Sequence, residues 1–182
     1  LLFAGGFASS QSAVLTFLPI YLREDVGVSS IALGLYLSLA QLAGIGSQPI
    51  MGYLSDRFGR KTVMVPGMLG LGISFVGLYL VPVGWGFGLI VLLMGVFLFP
   101  MMAIFLAAAM DLVEQEVQAT TVSLVFGTAI ILSGLSPAVA GVFADRWGVE
   151  SAFLWGAGTA IITGILALVT PWQGNWNSSK MS

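Results

Sequence analysis

Six apolar runs, each long enough to cross a bilayer, constrain this chain more than any other feature. They occupy residues 1–22, 30–54, 62–81, 85–110, 117–143 and 151–170, and a helix needs about 20 residues to span about 30 Å of hydrocarbon. None alternates polar and apolar side chains as a transmembrane barrel strand does, so each is expected to be a helix. The runs break where charge or turn residues collect, at 23–25, 55–61, 82–84, 111–116 and 145–150. Tyr21, Tyr53, Trp85, Trp147, Trp172 and Trp176 stand at or just beyond run ends, the headgroup level that amphipathic rings favour. No polar, low-complexity stretch divides the chain. The expectation is one all-α membrane domain of six transmembrane helices over residues 1–182.

Composition closes off the other classes. Only 8% of the 182 residues are charged, against about 25% in a soluble domain. A net charge of −2 gives no basic footprint for nucleic acid. The absence of Cys and His removes disulfides, thiol chemistry, imidazole bases and the commonest metal ligands. With no acid pair inside a run either, nothing is placed for acid–base catalysis, and neither a metal nor a cofactor is expected. The chain opens on Leu1-Leu2-Phe3-Ala4, without the basic start of a signal peptide, which reads as an entry point within a longer coding sequence.

Lys and Arg counts set the expected topology, since acidic residues contribute little to it. One side carries Arg57, Arg60 and Lys61 in the 55–61 loop, with Lys180 in the tail; the other carries Arg23 and Arg146. The 55–61 loop and both ends of the segment are therefore expected in the cytoplasm of a cell (plasma or inner) membrane.

An internal repeat adds to this frame. Ser47-Gln48-Pro49-Ile50-Met51-Gly52-Tyr53-Leu54-Ser55-Asp56-Arg57-Phe58-Gly59 closes the second run, and Ser136-Pro137-Ala138-Val139-Ala140-Gly141-Val142-Phe143-Ala144-Asp145-Arg146-Trp147-Gly148 closes the fifth. Ser, Gly, Asp-Arg, an aromatic residue and Gly keep register between them. Three runs separate the copies, so they would emerge on opposite membrane faces, the arrangement of an inverted three-plus-three repeat.

Gly52-Tyr53-Leu54-Ser55-Asp56-Arg57-Phe58-Gly59-Arg60-Lys61 resembles the signature loop of the major facilitator superfamily. The resemblance implies twelve-helix secondary transporters built from two six-helix halves, of which this segment matches one. The fourth run lacks the Arg that many amino-terminal halves carry, and the fifth shows Ser136-Pro137 and Gly141 in place of the Gly-Pro and Gly-Gly of many amino-terminal antiporter halves. Both departures favour the carboxy-terminal half. The expected partners are then membrane lipid, a small-molecule substrate and the amino-terminal six-helix half, or a second copy of this bundle if it works as a half-size homodimer. A membrane scaffold that does not transport is the remaining alternative.

Within the signature, Gly52 and Gly59 suit close backbone approach and a tight turn, and Asp56 suits the positive end of a neighbouring helix. The resemblance implies that Asp56 latches this half against the other in one conformation; positive charge that only fixes topology would explain the loop as well. Arg57, Arg60 and Lys61 are expected in the headgroup layer, and Asp111, at the end of the fourth run, to pair with Arg60 or Arg57. The repeat copy supplies Gly141, Asp145, Arg146 and Gly148, of which Asp145 and Arg146 are expected to do local turn and capping work.

No run carries a charge at its middle, so no proton-coupling acid is visible here. Ser9, Ser12 and Thr16 share a helical face, with Gln11 in the same turn, and Gln41 shares one with Gln48, Gly44 and Gly52. The resemblance places the first and fourth helices of a half along the central cavity, which makes Ser9, Gln11, Ser12, Thr16 and Gln41 the candidate substrate contacts. Interhelical hydrogen bonding would explain the serines equally. Phe97, Phe99, Pro100, Met101, Met102 and Phe105 suit an adaptable lipophilic surface or plain lipid contact, and Gly127, Gly134 and Gly141 form a small-residue stripe for close helix packing. The neutral lining leans toward an uncharged or amphipathic solute, such as an exported drug-like compound.

Overall fold

The computed structural model describes residues 1–170; the tail 171–182, with Trp172, Trp176 and Lys180, lies outside the described residues. The described residues are helical, without a strand. In order they form α1 (Leu2–Ile20), a π-helical turn (Tyr21–Asp25), α2 (Ser30–Phe58), α3 (Arg60–Leu80), α4 (Trp85–Met110), a short 3-10 turn (Gln115–Val117), α5 (Gln118–Trp147) and α6 (Ser151–Val169). Five helices, α2 to α6, are long and apolar enough to cross a membrane. The polar stretch Ser9-Ser10-Gln11-Ser12 sets α1 apart from them.

Several helices outlast their apolar runs, and this corrects the 55–61 loop. Ser55, Asp56, Arg57 and Phe58 complete α2, Arg60 and Lys61 open α3, and Gly59 alone lies between. Arg and Lys are sound helix formers once clear of hydrocarbon and Asp is tolerated at a cost below about 1 kcal/mol, so the helix ends at a backbone device and not where hydrophobicity stops. That device is Gly59, at φ 96° and ψ 148°, a region nearly closed to residues with a Cβ. The fifth helix ends alike: Gly148 has φ 94° and ψ 154°. In both, the glycine N–H bonds the carbonyl four residues back, Ser55 at 3.1 Å and Ala144 at 3.0 Å.

α1 packs mainly on α5 and α6, α4 mainly on α2 and α3, and α3 lies along α6. Glycines admit the close contacts. An added Cβ at Gly95 of α4 would lie 2.1 Å from the Ala40 carbonyl oxygen of α2, and one at Gly156 of α6 would lie 2.5 Å from Val14 Cγ2 of α1. The core is filled by Phe7, Phe75, Phe87, Phe153, Met64, Met68 and Met94. α4 belongs largely to this interior. Pro100, Met101 and Phe105 are buried and Phe97 packs on Gly70, so lipid contact does not describe these positions, although Leu89, Leu92 and Leu93 of the same helix are exposed.

One end of the bundle gathers the α2–α3 junction and the last residues of α4 and α6. At the other, Tyr21 stacks against Phe87 and Phe153, with ring centroids 6.3 and 5.5 Å away.

Candidate functional site

Arg60 is the centre of the charged end. As the first residue of α3 it is held next to the last turn of α2, so its guanidinium reaches two helices at once. Nη1 pairs with Asp56 one turn back and donates to Ser55 Oγ at 3.2 Å, while Nε donates to Asp111 Oδ2 at 2.8 Å. Ser55 is fully buried. Its hydroxyl joins Arg60 to the interior, a contact absent from the sequence reading, although Ser55 stands within the signature. Arg60 is 21% exposed against 66% for Asp56 and 53% for Asp111, so solvent reaches the acids and much less the cation. Arg57, the alternative partner for Asp111, lies elsewhere. It donates to Tyr53 Oη at 3.0 Å and stands 6.0 and 5.5 Å from the ring centroids of Tyr53 and Phe58.

Lys61 is not a free headgroup cation. Its Nζ donates to the backbone oxygens of Leu168 at 2.6 Å and Thr170 at 3.0 Å, satisfying carbonyls that the end of α6 leaves without partners. The signature thus ties the ends of α2, α3, α4 and α6 together through two adjacent residues.

Gly52 has no atom within 4 Å of an added Cβ, so it serves no close approach; Gly59 does make the turn. In the repeat copy the backbone is kept and the charge network is not. In register, Val149 stands where Arg60 does and Leu22, fully buried, where Asp111 does. Asp145 and Arg146 are exposed and make no hydrogen bond or ion pair among the described residues. The capping expected of them falls to the Gly148 N–H and to Ser151 Oγ, which donates to Gly148 O at 2.6 Å. An added Cβ at Gly141 would meet Phe17 at an ordinary 3.7 Å, and one at Gly127 or Gly134 would meet nothing within 4 Å.

The candidate cavity residues separate. Ser12 Oγ donates to Ser133 O of α5 at 2.8 Å, and the Ser9 carbonyl accepts from Ser136 Oγ at 2.6 Å, so both positions serve the α1–α5 contact. Ser10, which lies off the expected face, is buried and donates to Gly156 O of α6 at 2.7 Å. Thr16 is exposed, Gln11 half-buried, and neither has a hydrogen-bond partner among the described residues. Gln41 lines a cleft of about 380 Å³ between α1, α2 and α4, with Leu15, Pro19, Leu37, Ala40, Met94 and Phe99. Phe99 fits there because Gly44 has no side chain: an added Cβ would lie 2.3 Å from Phe99 Cδ2. The wall is apolar and uncharged, with one amide. Among the described residues no cluster of acidic side chains could hold a metal ion.

The sequence profile of the Major Facilitator Superfamily matches residues 1–180. Among curated proteins, the chain is 29% identical over 168 residues to the multi-drug resistance efflux pump PmrA of Streptococcus pneumoniae, covering 88% of this chain and 41% of that one. It is 32% identical over 170 residues to the PmrA homolog of Lactococcus lactis, covering 89% and 39%. It is 27% identical over 166 residues to the multidrug resistance protein MdtG of Klebsiella pneumoniae, covering 86% and 39%. The chain thus spans about two fifths of the length of these relatives. With several helices apolar enough to span a bilayer, it is a multi-pass membrane protein. The chain belongs to the Major Facilitator Superfamily.

Proposed function

We propose that this chain forms one six-helix half, the carboxy-terminal one, of a plasma-membrane secondary transporter that exports lipophilic, drug-like solutes by alternating access. The observation that carries the reading is the uncharged cleft between α1, α2 and α4, in a chain whose relatives are named multidrug efflux pumps. An apolar wall with a single amide suits solutes that are mostly apolar and carry one hydrogen-bonding group, and its Met and aromatic side chains can repack around different shapes.

An inverted repeat and a sixth crossing belong to the same proposal. Exchanging each helix for the one three places along turns the α1–α5 contact into α4–α2, α1–α6 into α4–α3, and α5–α6 into α2–α3, and each pair is present. Gly59 and Gly148, with nearly equal φ and ψ, support it further. For α1 as a crossing helix, the support is that Ser10 and Ser12 spend their hydroxyls on neighbouring backbones, which removes much of the cost of carrying them through lipid. The Lys- and Arg-rich end is placed in the cytoplasm. Asp56 acts as the latch to the other half, exchanging its bond to Arg60 for that contact.

The test is transport of ethidium by the full-length protein in proteoliposomes, with and without an imposed pH gradient. Gradient-dependent movement is expected; none under either condition refutes the export reading. Asp56→Asn keeps the shape and removes the charge, and an unchanged rate would exclude the latch. An antibody against residues 171–182 should reveal a native product near twice 19.1 kDa. A product of 19.1 kDa would overturn the two-half reading in favour of a homodimer.

A further inference from the structure

Proline inside a helix has no N–H to give, so the carbonyl four residues before it loses its partner. Pro137 lies inside α5, and the carbonyl it leaves open belongs to Ser133. That oxygen is the one that receives Ser12 Oγ of α1, at 2.8 Å. One position before the proline, Ser136 Oγ donates to Ser9 O of α1 at 2.6 Å and accepts from Trp155 Nε1 of α6 at 3.0 Å. The two bonds to α1 are one turn apart on α1, and both of their α5 residues, Ser133 and Ser136, lie in the turn that precedes the proline. Elsewhere in the bundle, interior prolines are treated differently. Pro49 of α2 opens the carbonyl of Ile45, and among the described residues no side chain donates to it. The α2–α4 contact relies on glycine and close approach, at Gly95 against Ala40 and Gly44 against Phe99.

We propose that Ser12 is a positioning residue that supplies α5 with the donor Pro137 lacks, and so fixes how α5 lies on α1. Because the missing bond is made between helices, the α1–α5 seam has a hydrogen bond to break when the helices part, and α5 keeps a hinge that closes when the bond re-forms. Thr16, exposed one turn further along α1, lies next to that seam. Its solvent access therefore reports on the seam's state, whether or not a transported solute has been found.

The experiment uses the full-length protein, with any cysteine outside this segment replaced, since the 182 residues contain none. A single cysteine at Thr16→Cys is labelled in membranes with a water-soluble maleimide. Ser12→Ala should change the labelling rate by about fivefold, the factor equivalent to one hydrogen bond of about 1 kcal/mol. Ser12→Thr, which keeps a hydroxyl, should restore the original rate. In a Pro137→Ala background residue 137 has its own N–H for Ser133 O, so Ser12→Ala should change the rate by less than about twofold, under half of that bond's worth. No effect of Ser12→Ala in the parent protein overturns the proposal, and so does an equal effect in both backgrounds, which would mean that Ser12 acts through packing alone. If Ser12→Ala fails to accumulate in membranes, Pro137→Ala must restore it; absence of that rescue also overturns the proposal.

Discussion

Replacing Gly95 by alanine should force α4 away from α2, and the size of the effect follows from the geometry. The new Cβ would lie 2.1 Å from Ala40 O and 2.7 Å from Ala40 C and Cα, where ordinary contact begins near 3.4 Å. The helices must part by the difference, about 1.3 Å. All three obstructing atoms are backbone, so no side-chain rotation relieves the overlap. Overpacking of this kind costs about 1–3 kcal/mol. Alanine is also a better helix former than glycine by about 1 kcal/mol, which partly offsets the clash and calls for a matched control. Gly158 of α6 provides it: it is helical, and an added Cβ meets nothing within 4 Å. The difference between Gly95→Ala and Gly158→Ala cancels the propensity gain and leaves the clash, about 1–3 kcal/mol. Reversible unfolding of the full-length protein in mixed detergent and SDS micelles measures both. Equal resistance of the two variants would refute the claim that α2 and α4 meet backbone to backbone at this point.

Gly59→Ala and Gly148→Ala should each destabilise by about 1–3 kcal/mol, because both replace a glycine at positive φ; a tolerated alanine at either position in the same unfolding assay would show that the turn can relax. Lys61→Met should weaken the last turn of α6 by about 0.3–1 kcal/mol. It should appear as faster amide exchange at residues 166–169, and a change confined to the start of α3 would count against the cap. Arg60→Ala should cost more than Asp111→Asn, since Arg60 bonds Ser55 and two acids while half-exposed Asp111 gives up at most about 1 kcal/mol. Equal costs would remove Arg60 from the centre of the cluster.

Local pattern carried the helices well, because a run of apolar residues and a bilayer's thickness are one-dimensional facts. The fourth run and α4 share both ends, since Gly84 precedes it and charge follows directly at Asp111. Where charges such as Asp56 and Arg57 followed an apolar run, hydropathy marked the edge of hydrocarbon and not the end of the helix, which waits for Gly59. Asp111 was recognisable as an acid at the right end. Choosing Arg60 over Arg57 required knowing that one opens a new helix while the other remains on α2. The cap made by Lys61 was hidden entirely, because it joins residues more than a hundred positions apart. Ser10 lies off the Ser9–Ser12–Thr16 face, yet its burial against α6 makes it the most enclosed hydroxyl of that stretch. Gly95 gave no signal, since a run apolar on every side has no face for a glycine to mark. The dipeptide Ser136-Pro137 is visible as part of the repeat, and its link to Ser12 emerges only when α1 and α5 lie side by side.

The opposite ends of the bundle are joined by unlike materials. Around Arg60 and Lys61 the joints are directional bonds to fixed oxygens, which are either made or broken over an ångström or so. Around Tyr21 the joints are faces and edges of rings, which slide over one another with little change in energy. Such a body behaves like a pair of tongs held at the rivet. Slack within the bundle is taken up at the aromatic end, and a small rotation at the charged end becomes a larger excursion of the helix tips beside Tyr21.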